Sequence, residues 1–177
     1  MSTTTDAINL TSAVTKGYGD ASAAAVQKAS DLAFVTVKLG QTTFPDLAAS
    51  MGSVIPVAAK MGVAQEELFA GMATLTGVTG NASEVSTQLA AILRAMIKPT
   101  DDMAKAIKIL GYSSSEALVS DKGMVGALKA LIRTTDGSTE SVGKLFGRAE
   151  ALTSVFALTG GQAEIFDEKL DAIRKSA

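Results

Sequence analysis

The segment Ser53–Pro99 reads SVIPVAAKMGVAQEELFAGMATLTGVTGNASEVSTQLAAILRAMIKP, and its punctuation decides the fold. A helix running to Met61 meets Gly62 and then the apolar Val63. That order fits a left-handed C-terminal cap, in which glycine takes the positive φ and the next residue folds back on the helix. Gln65-Glu66-Glu67 opens a second helix, with negative charge at the end where the helix dipole favours it. The cluster Gly77–Ser83 breaks that helix. A third runs from about Glu84 to Lys98 and stops before Pro99, because the residue preceding proline is pushed out of the helical region.

The same grammar extends outward in both directions. Ser2–Thr5 supplies N-caps for a short helix over Asp6–Lys16, which Gly17-Tyr18-Gly19 ends. Asp20 or Ser22 caps a long helix to Gly40. Its Phe34-Val35-Thr36-Val37 island favours strand, but the flanking alanine-rich run makes the whole segment helical. Thr43 precedes Phe44-Pro45-Asp46, a helix start with proline in its first turn, and Pro56 then imposes a kink or break. Thr100-Asp101-Asp102 caps a helix that stops at Gly111-Tyr112, the same chemistry as Gly62-Val63. The stretch Tyr112–Gly123 reads two ways. The serines 113–115 suit a short turn of helix, while Leu118-Val119-Ser120-Asp121-Lys122-Gly123 suits a small extended hairpin near 117–123. Helices follow over Met124–Thr134, from Ser138 through Phe146, around Leu152–Phe156, and over Ala163–Lys175. The expectation is a single all-α domain over 1–177, a bundle of about seven to nine short to medium helices. Its charged amphipathic end suggests a piece of a longer polypeptide.

Composition narrows the chemistry. Of 177 residues 47% are hydrophobic but only 5% aromatic, with no Trp, which favours close helix-on-helix packing over a sheet core. Net charge is −2 from 16 basic and 18 acidic residues, interspersed along the chain, so no clustered basic face for sequence-specific nucleic-acid binding is expected. Cysteine and histidine are both absent. That removes thiolate chemistry, the commonest general base and the commonest transition-metal ligand. The uncharged runs between Asp46 and Lys60 and between Glu67 and Glu84 fall short of the ~18 apolar residues of a spanning helix. Mean hydropathy is nonetheless +0.27, and self-association is the simplest outlet for that apolar excess.

The ordered set of motifs then carries a resemblance. PVAAKMGV at Pro56–Val63, EELFAGMATL at Glu66–Leu75 and QLAAILR at Gln88–Arg94 follow one another, then KPTDDMAKAIKILGY at Lys98–Tyr112 and KLFGRAEAL at Lys144–Leu152. Over roughly residues 30–160 this succession resembles the core region of the bacteriophage tail tape measure protein family. Three departures stand out: Ala64 where a Ser or Thr cap is common, Asp121-Lys122-Gly123 in place of an aromatic and an Asp-Gly turn, and a chain far shorter than is typical. The resemblance implies a non-enzymatic structural part of the virion tail. Such proteins form helical rods around which tube subunits polymerise, so that rod length sets tail length, and they assist genome ejection. Implied partners are tail tube protein, tail assembly chaperones and tail tip proteins, with further copies of the chain itself. Implied locations are the virion and, during assembly, the host bacterial cytoplasm.

Several residue groups that suggest chemistry have plainer roles. Glu66-Glu67 and Asp101-Asp102 are adjacent helix residues pointing apart, as dipole-favoured first-turn acids do, rather than catalytic pairs. Asp121-Lys122-Gly123 and Asp136-Gly137 lack the alternating ligands and closing Glu of a calcium loop and read as turns. Gly17-Tyr18-Gly19 lacks the third glycine of a dinucleotide fingerprint. Gly143-Lys144-Leu145-Phe146-Gly147 has the small-xxx-small spacing of close helix approach, suited to a soluble bundle or a subunit contact with Lys144 inside it. Arg148 reads equally as a partner of Glu150, or of an acid on a neighbouring helix, and as a solvated charge. No cofactor, metal or catalytic set is indicated. The residues singled out for structure or interaction are Pro56, Gly62, Val63, Gly111, Gly143, Phe146, Gly147 and Arg148. A membrane-active helical module, motivated by the uncharged run Leu68–Ser83, is the alternative.

Overall fold

The computed structural model describes residues 4–176, and among them it contains eleven α-helices, one 3-10 turn and no strand. In chain order these are α1 (Thr4–Tyr18), α2 (Ala23–Leu39), α3 (Phe44–Ser50), the 3-10 turn Met51–Ser53, α4 (Ile55–Lys60), α5 (Gln65–Thr79) and α6 (Ala82–Ile97). There follow α7 (Asp101–Ile109), α8 (Ser115–Ile132), α9 (Thr139–Phe146), α10 (Ala149–Thr159) and α11 (Ala163–Arg174). The chain is all-α, with more and shorter helices than the seven to nine expected. Two sequence features raise the number. Pro56 breaks the pattern outright, sitting in the first turn of α4 after the 3-10 turn, where its missing N–H costs no hydrogen bond. Gly147, in the left-handed conformation, separates α9 from α10.

The hairpin considered near 117–123 does not form; the segment is the first half of α8. Ser114 caps it by accepting the Ala117 amide at 3.2 Å, and Ser115, Leu118 and Val119 are buried at helical spacing. Leu118-Val119 therefore buries two neighbouring positions of one helix stripe, not alternate faces of a strand.

Helix α5 is the axis around which the others pack. From Glu67 to Thr76 every residue is buried, so α5 has no solvent face over two and a half turns. Helices α2, α6, α10 and α11 lie against it, α6 joins it to α3 and α4, and α1 closes the outside of α2, α3 and α4. The uncharged run Leu68–Ser83 is mostly this interior helix. No helix among the described residues is long and apolar enough to cross a membrane. Small residues set the spacing. A Cβ on Gly40 would lie 2.6 Å from Thr76 Oγ1 and 3.1 Å from Ala73 Cα, so the end of α2 rests on the backbone of α5.

Candidate functional site

Two junctions gather the residues that the sequence singled out. The first surrounds the N-terminal end of α5. The α4 helix ends as expected: Gly62 has φ +71, its amide bonds Ala59 O at 3.1 Å, and the Val63 amide reaches Ala58 O at 3.0 Å while its side chain is buried. Gly111 repeats the device at φ +87, with the Tyr112 amide donating to Ile107 O at 3.1 Å. After Gly62 and Val63, Ala64 occupies the N-cap position of α5 without a side-chain bond, and Glu66 and Glu67 follow.

These two acids diverge. Glu66 pairs with Lys28 of α2 at 2.6 Å. Partial burial pushes its carboxyl up, but the bonds to the lysine and to backbone outweigh that and leave its pKa below the ordinary value. Glu67 turns inward and is 8% exposed. Its Oε2 accepts the amide of Met124 at 2.8 Å, across 57 residues of sequence. Met124 begins the second half of α8, immediately after Gly123, whose φ of +71 and ψ of +173 interrupt the helix. A helix restarted there has unpaired N–H groups, and Glu67 caps one of them, that of Met124, from another helix. Burial raises the Glu67 pKa, opposed by the Met124 amide and the positive charge of Arg174 on α11. Tyr18 completes the cluster: its hydroxyl is buried without a hydrogen-bond partner among the described residues. Burial foremost, then the fields of Glu66 and Glu67, push its pKa up.

The second junction links the two motif blocks at 98–112 and 144–152. The Thr100 hydroxyl accepts the Met103 amide at 3.1 Å, as an N-cap should. It also donates to the last carbonyls of α9, Lys144 O at 3.0 Å and Leu145 O at 2.9 Å. One side chain thus closes the start of α7 and the end of α9. Gly147 lies against it, with a built Cβ 3.2 Å from Thr100 Cγ2, and Phe146 is fully packed in the core. Gly143 admits a neighbour as its spacing suggests, but that neighbour is Leu152 of α10 in the same chain. Arg148 is exposed and forms no ion pair among the described residues; Lys144 pairs with Glu140 at 2.8 Å. Pro56 is exposed, so its part is local.

Both junctions bind backbone. Apart from the buried Tyr18 hydroxyl, the carboxylates and hydroxyls described in them close a helix end or an ion pair, which is an architectural role. Sequence reasoning located Gly62, Val63, Gly111 and Thr100 from local patterns. It placed Glu67 only in a first turn, because its partner lies 57 positions away. The weak signal for that contact is Gly123 itself, which the sequence offers only as the last residue of an Asp121-Lys122-Gly123 turn just before the Met124–Thr134 helix.

Searches of curated proteins and of solved structures find no significant match. A family model described as phage-related minor tail protein matches residues 1–156, which takes in both junctions and every helix through most of α10. The chain therefore belongs to the phage-related minor tail protein family, structural components of the virion tail.

Proposed function

We propose that this chain is the folded core of a tail tape measure protein, non-enzymatic and acting through helix packing. In that role it is one domain of a longer polypeptide, present in several copies, that helps set tail length, templates tube polymerisation and assists genome ejection. The observation that carries the reading is the physical linkage of the ordered motifs. The KPTDD and KLFGR blocks meet at Thr100, and the KMGV–QEEL block is locked to α8 through Glu67. These spacings are therefore joints of one assembly rather than independent helix stops. Tail tube protein, tail assembly chaperones and tail tip proteins are the proposed partners.

The test is co-purification of the chain with the tail tube protein and tail assembly chaperones encoded beside it. The test is paired with electron microscopy of tails made when helical segments are deleted or duplicated in the full-length protein. A tail whose length follows the inserted segment supports the reading. Unchanged tail length, with no affinity for either partner, overturns it.

A further inference from the structure

Helix α2 rests one face on α5 and leaves the opposite face open. Its buried stripe is Ala25, Ala29, Leu32, Ala33 and Thr36. Helical spacing puts Phe34 opposite the middle of that stripe, and it is 66% exposed. The other five phenylalanines of the chain are buried or half-buried. Val26, two turns before Phe34, is exposed as well, and Val37 is half-buried. Among the described residues the remaining large exposed apolar side chains, Ile8, Val78, Ile97, Ile109 and Ile165, fall one to a helix. Only α2 gathers two.

The charges around Phe34 say what fits there. Besides Lys28, which is paired with Glu66, α2 carries two charged residues, Asp31 and Lys38. They stand three residues before Phe34 and four after it, and a seven-residue spacing puts both on one flank of the outward face. About 10 Å of helical rise separates them, too far for an ion pair within one helix. Asp31 accepts from the side-chain amide of Gln27 at 2.9 Å, and Lys38 is exposed with no ion pair among the described residues. Laid antiparallel about Phe34, two copies of this helix bring each Asp31 opposite the other copy's Lys38. Parallel packing would set Asp31 against Asp31 and Lys38 against Lys38, so the pattern selects an orientation. Such self-complementarity is not automatic for a helix. It requires opposite charges placed evenly on either side of an apolar centre.

We propose that the outward face of α2 is a self-association surface, on which a second copy of this chain docks antiparallel through its own α2. Phe34 meets Phe34 at the centre, and two Asp31–Lys38 pairs flank them. The contact is isologous, with a twofold axis passing beside Phe34. The paired rings supply the apolar contact, and the ion pairs fix register and orientation. One helix from each copy makes an interface at the small end, below about 1,200 Å² in total, so the dimer is weak and fills as concentration rises. This inference rests on the α2 face and not on the tape measure reading, so either can fail alone.

Sedimentation equilibrium of the whole chain between about 10 µM and about 1 mM tests it, and wild type should pass from monomer toward dimer over that range. Phe34→Glu should weaken association about tenfold or more. Ile109→Glu, which replaces a comparably exposed side chain on α7, should leave it unchanged. The charges give the sharper comparison. Asp31→Lys and Lys38→Asp each set like charges against one another and should each weaken the dimer. The double variant D31K/K38D recreates both pairs and should restore it. All these positions lie on the surface, and matching thermal unfolding midpoints check that each variant is folded. A strict monomer at the upper concentration, a Phe34→Glu chain that associates as wild type does, or a double charge variant no better than the single ones would each overturn the proposal. So would an α2 face protected from hydrogen exchange only when another tail protein is added, which would assign it to that partner.

Discussion

Gly62 and Gly123 share a φ of +71, yet the two positions solve opposite problems. At Gly62 a helix ends, and the residues that close it are its immediate neighbours: backbone bonds to Ala58 and Ala59 and the buried side chain of Val63. At Gly123 a helix is interrupted and restarts, and the group that satisfies the new N-terminus comes from α5. Around Gly62 there is open space; a Cβ on Gly123 would lie 2.1 Å from Glu67 Oε1. The same dihedral is a local matter in one place and part of a tertiary contact in the other. The contrast teaches that a glycine's cost of substitution is set by what occupies the space its side chain would need, as well as by its φ.

The largest effect should therefore come from Gly123→Ala. The new methyl meets the carboxylate directly, and alanine also resists the positive φ. Adding about 1–3 kcal/mol for a φ of +71 with ψ of +173, a combination essentially restricted to glycine, to about 1–3 kcal/mol for a displaced buried cap predicts a loss of roughly 4 kcal/mol. Urea unfolding checks it; a loss no greater than that of Gly62→Ala would mean that the Glu67 contact contributes nothing. Next is Glu67→Ala, which leaves the Met124 amide buried without its partner and should cost about 2 kcal/mol. In the double variant the two losses should not add, because both remove the same contact. Additive losses would place the damage elsewhere.

How much of this was legible follows the same division. Thr43, Thr100 and Ser138 are legible as helix starts because each accepts an amide three residues on, within its own segment; for α2 the sequence leaves Asp20 and Ser22 open, and the structure selects Ser22. The Phe34–Val37 island lies within α2, because its helix-favouring flanks outweigh four β-favouring residues. The 117–123 region stayed open because its alternatives differ only in what lies across from Leu118 and Val119, and those neighbours are remote in sequence. The Gly143–Gly147 spacing was legible as a site of close approach, but not which helix approaches. Glu67 as a cap for α8, and Thr100 as a donor to α9, each join residues more than forty positions apart, and no periodicity encodes them.

Thr100→Val tests the other long-range joint. It removes the N-cap of α7 and two bonds to α9 carbonyls while keeping a methyl beside Gly147. A loss near 1.5 kcal/mol is expected, above the ~1 kcal/mol of a simple cap because a second helix end is released. Hydrogen exchange should show both α7 and α9 loosening; loosening of α7 alone would reduce Thr100 to a local device. Gly62→Ala follows at about 1 kcal/mol, the cost of the left-handed position in open space.

The smallest effect is a slope rather than an offset. The folded Glu67 carboxyl has a pKa raised above its ordinary 4.5, chiefly by burial. The native state therefore holds this proton more tightly than the unfolded chain does. Its contribution to stability is fully present below pH 4.5 and is lost as pH rises through the folded pKa. The lowered carboxyls work in the opposite direction. Asp136, brought to about 2 by the Ser141 hydroxyl and the Ser138 amide and hydroxyl, contributes stability that is lost on acidification, as does Glu66 through its bonds with Lys28. The whole-protein profile sums these slopes, so wild type alone cannot isolate Glu67. Glu67→Gln can, because the amide oxygen still accepts from Met124 and no longer titrates. The variant should gain stability relative to wild type as pH rises from 4 to 8, with the two profiles converging at the acid end. Parallel profiles would mean that Glu67 titrates in the folded protein as it does in the unfolded chain. In that case its role at the Gly123 break would be that of a solvated cap, as local in its energetics as Gly62.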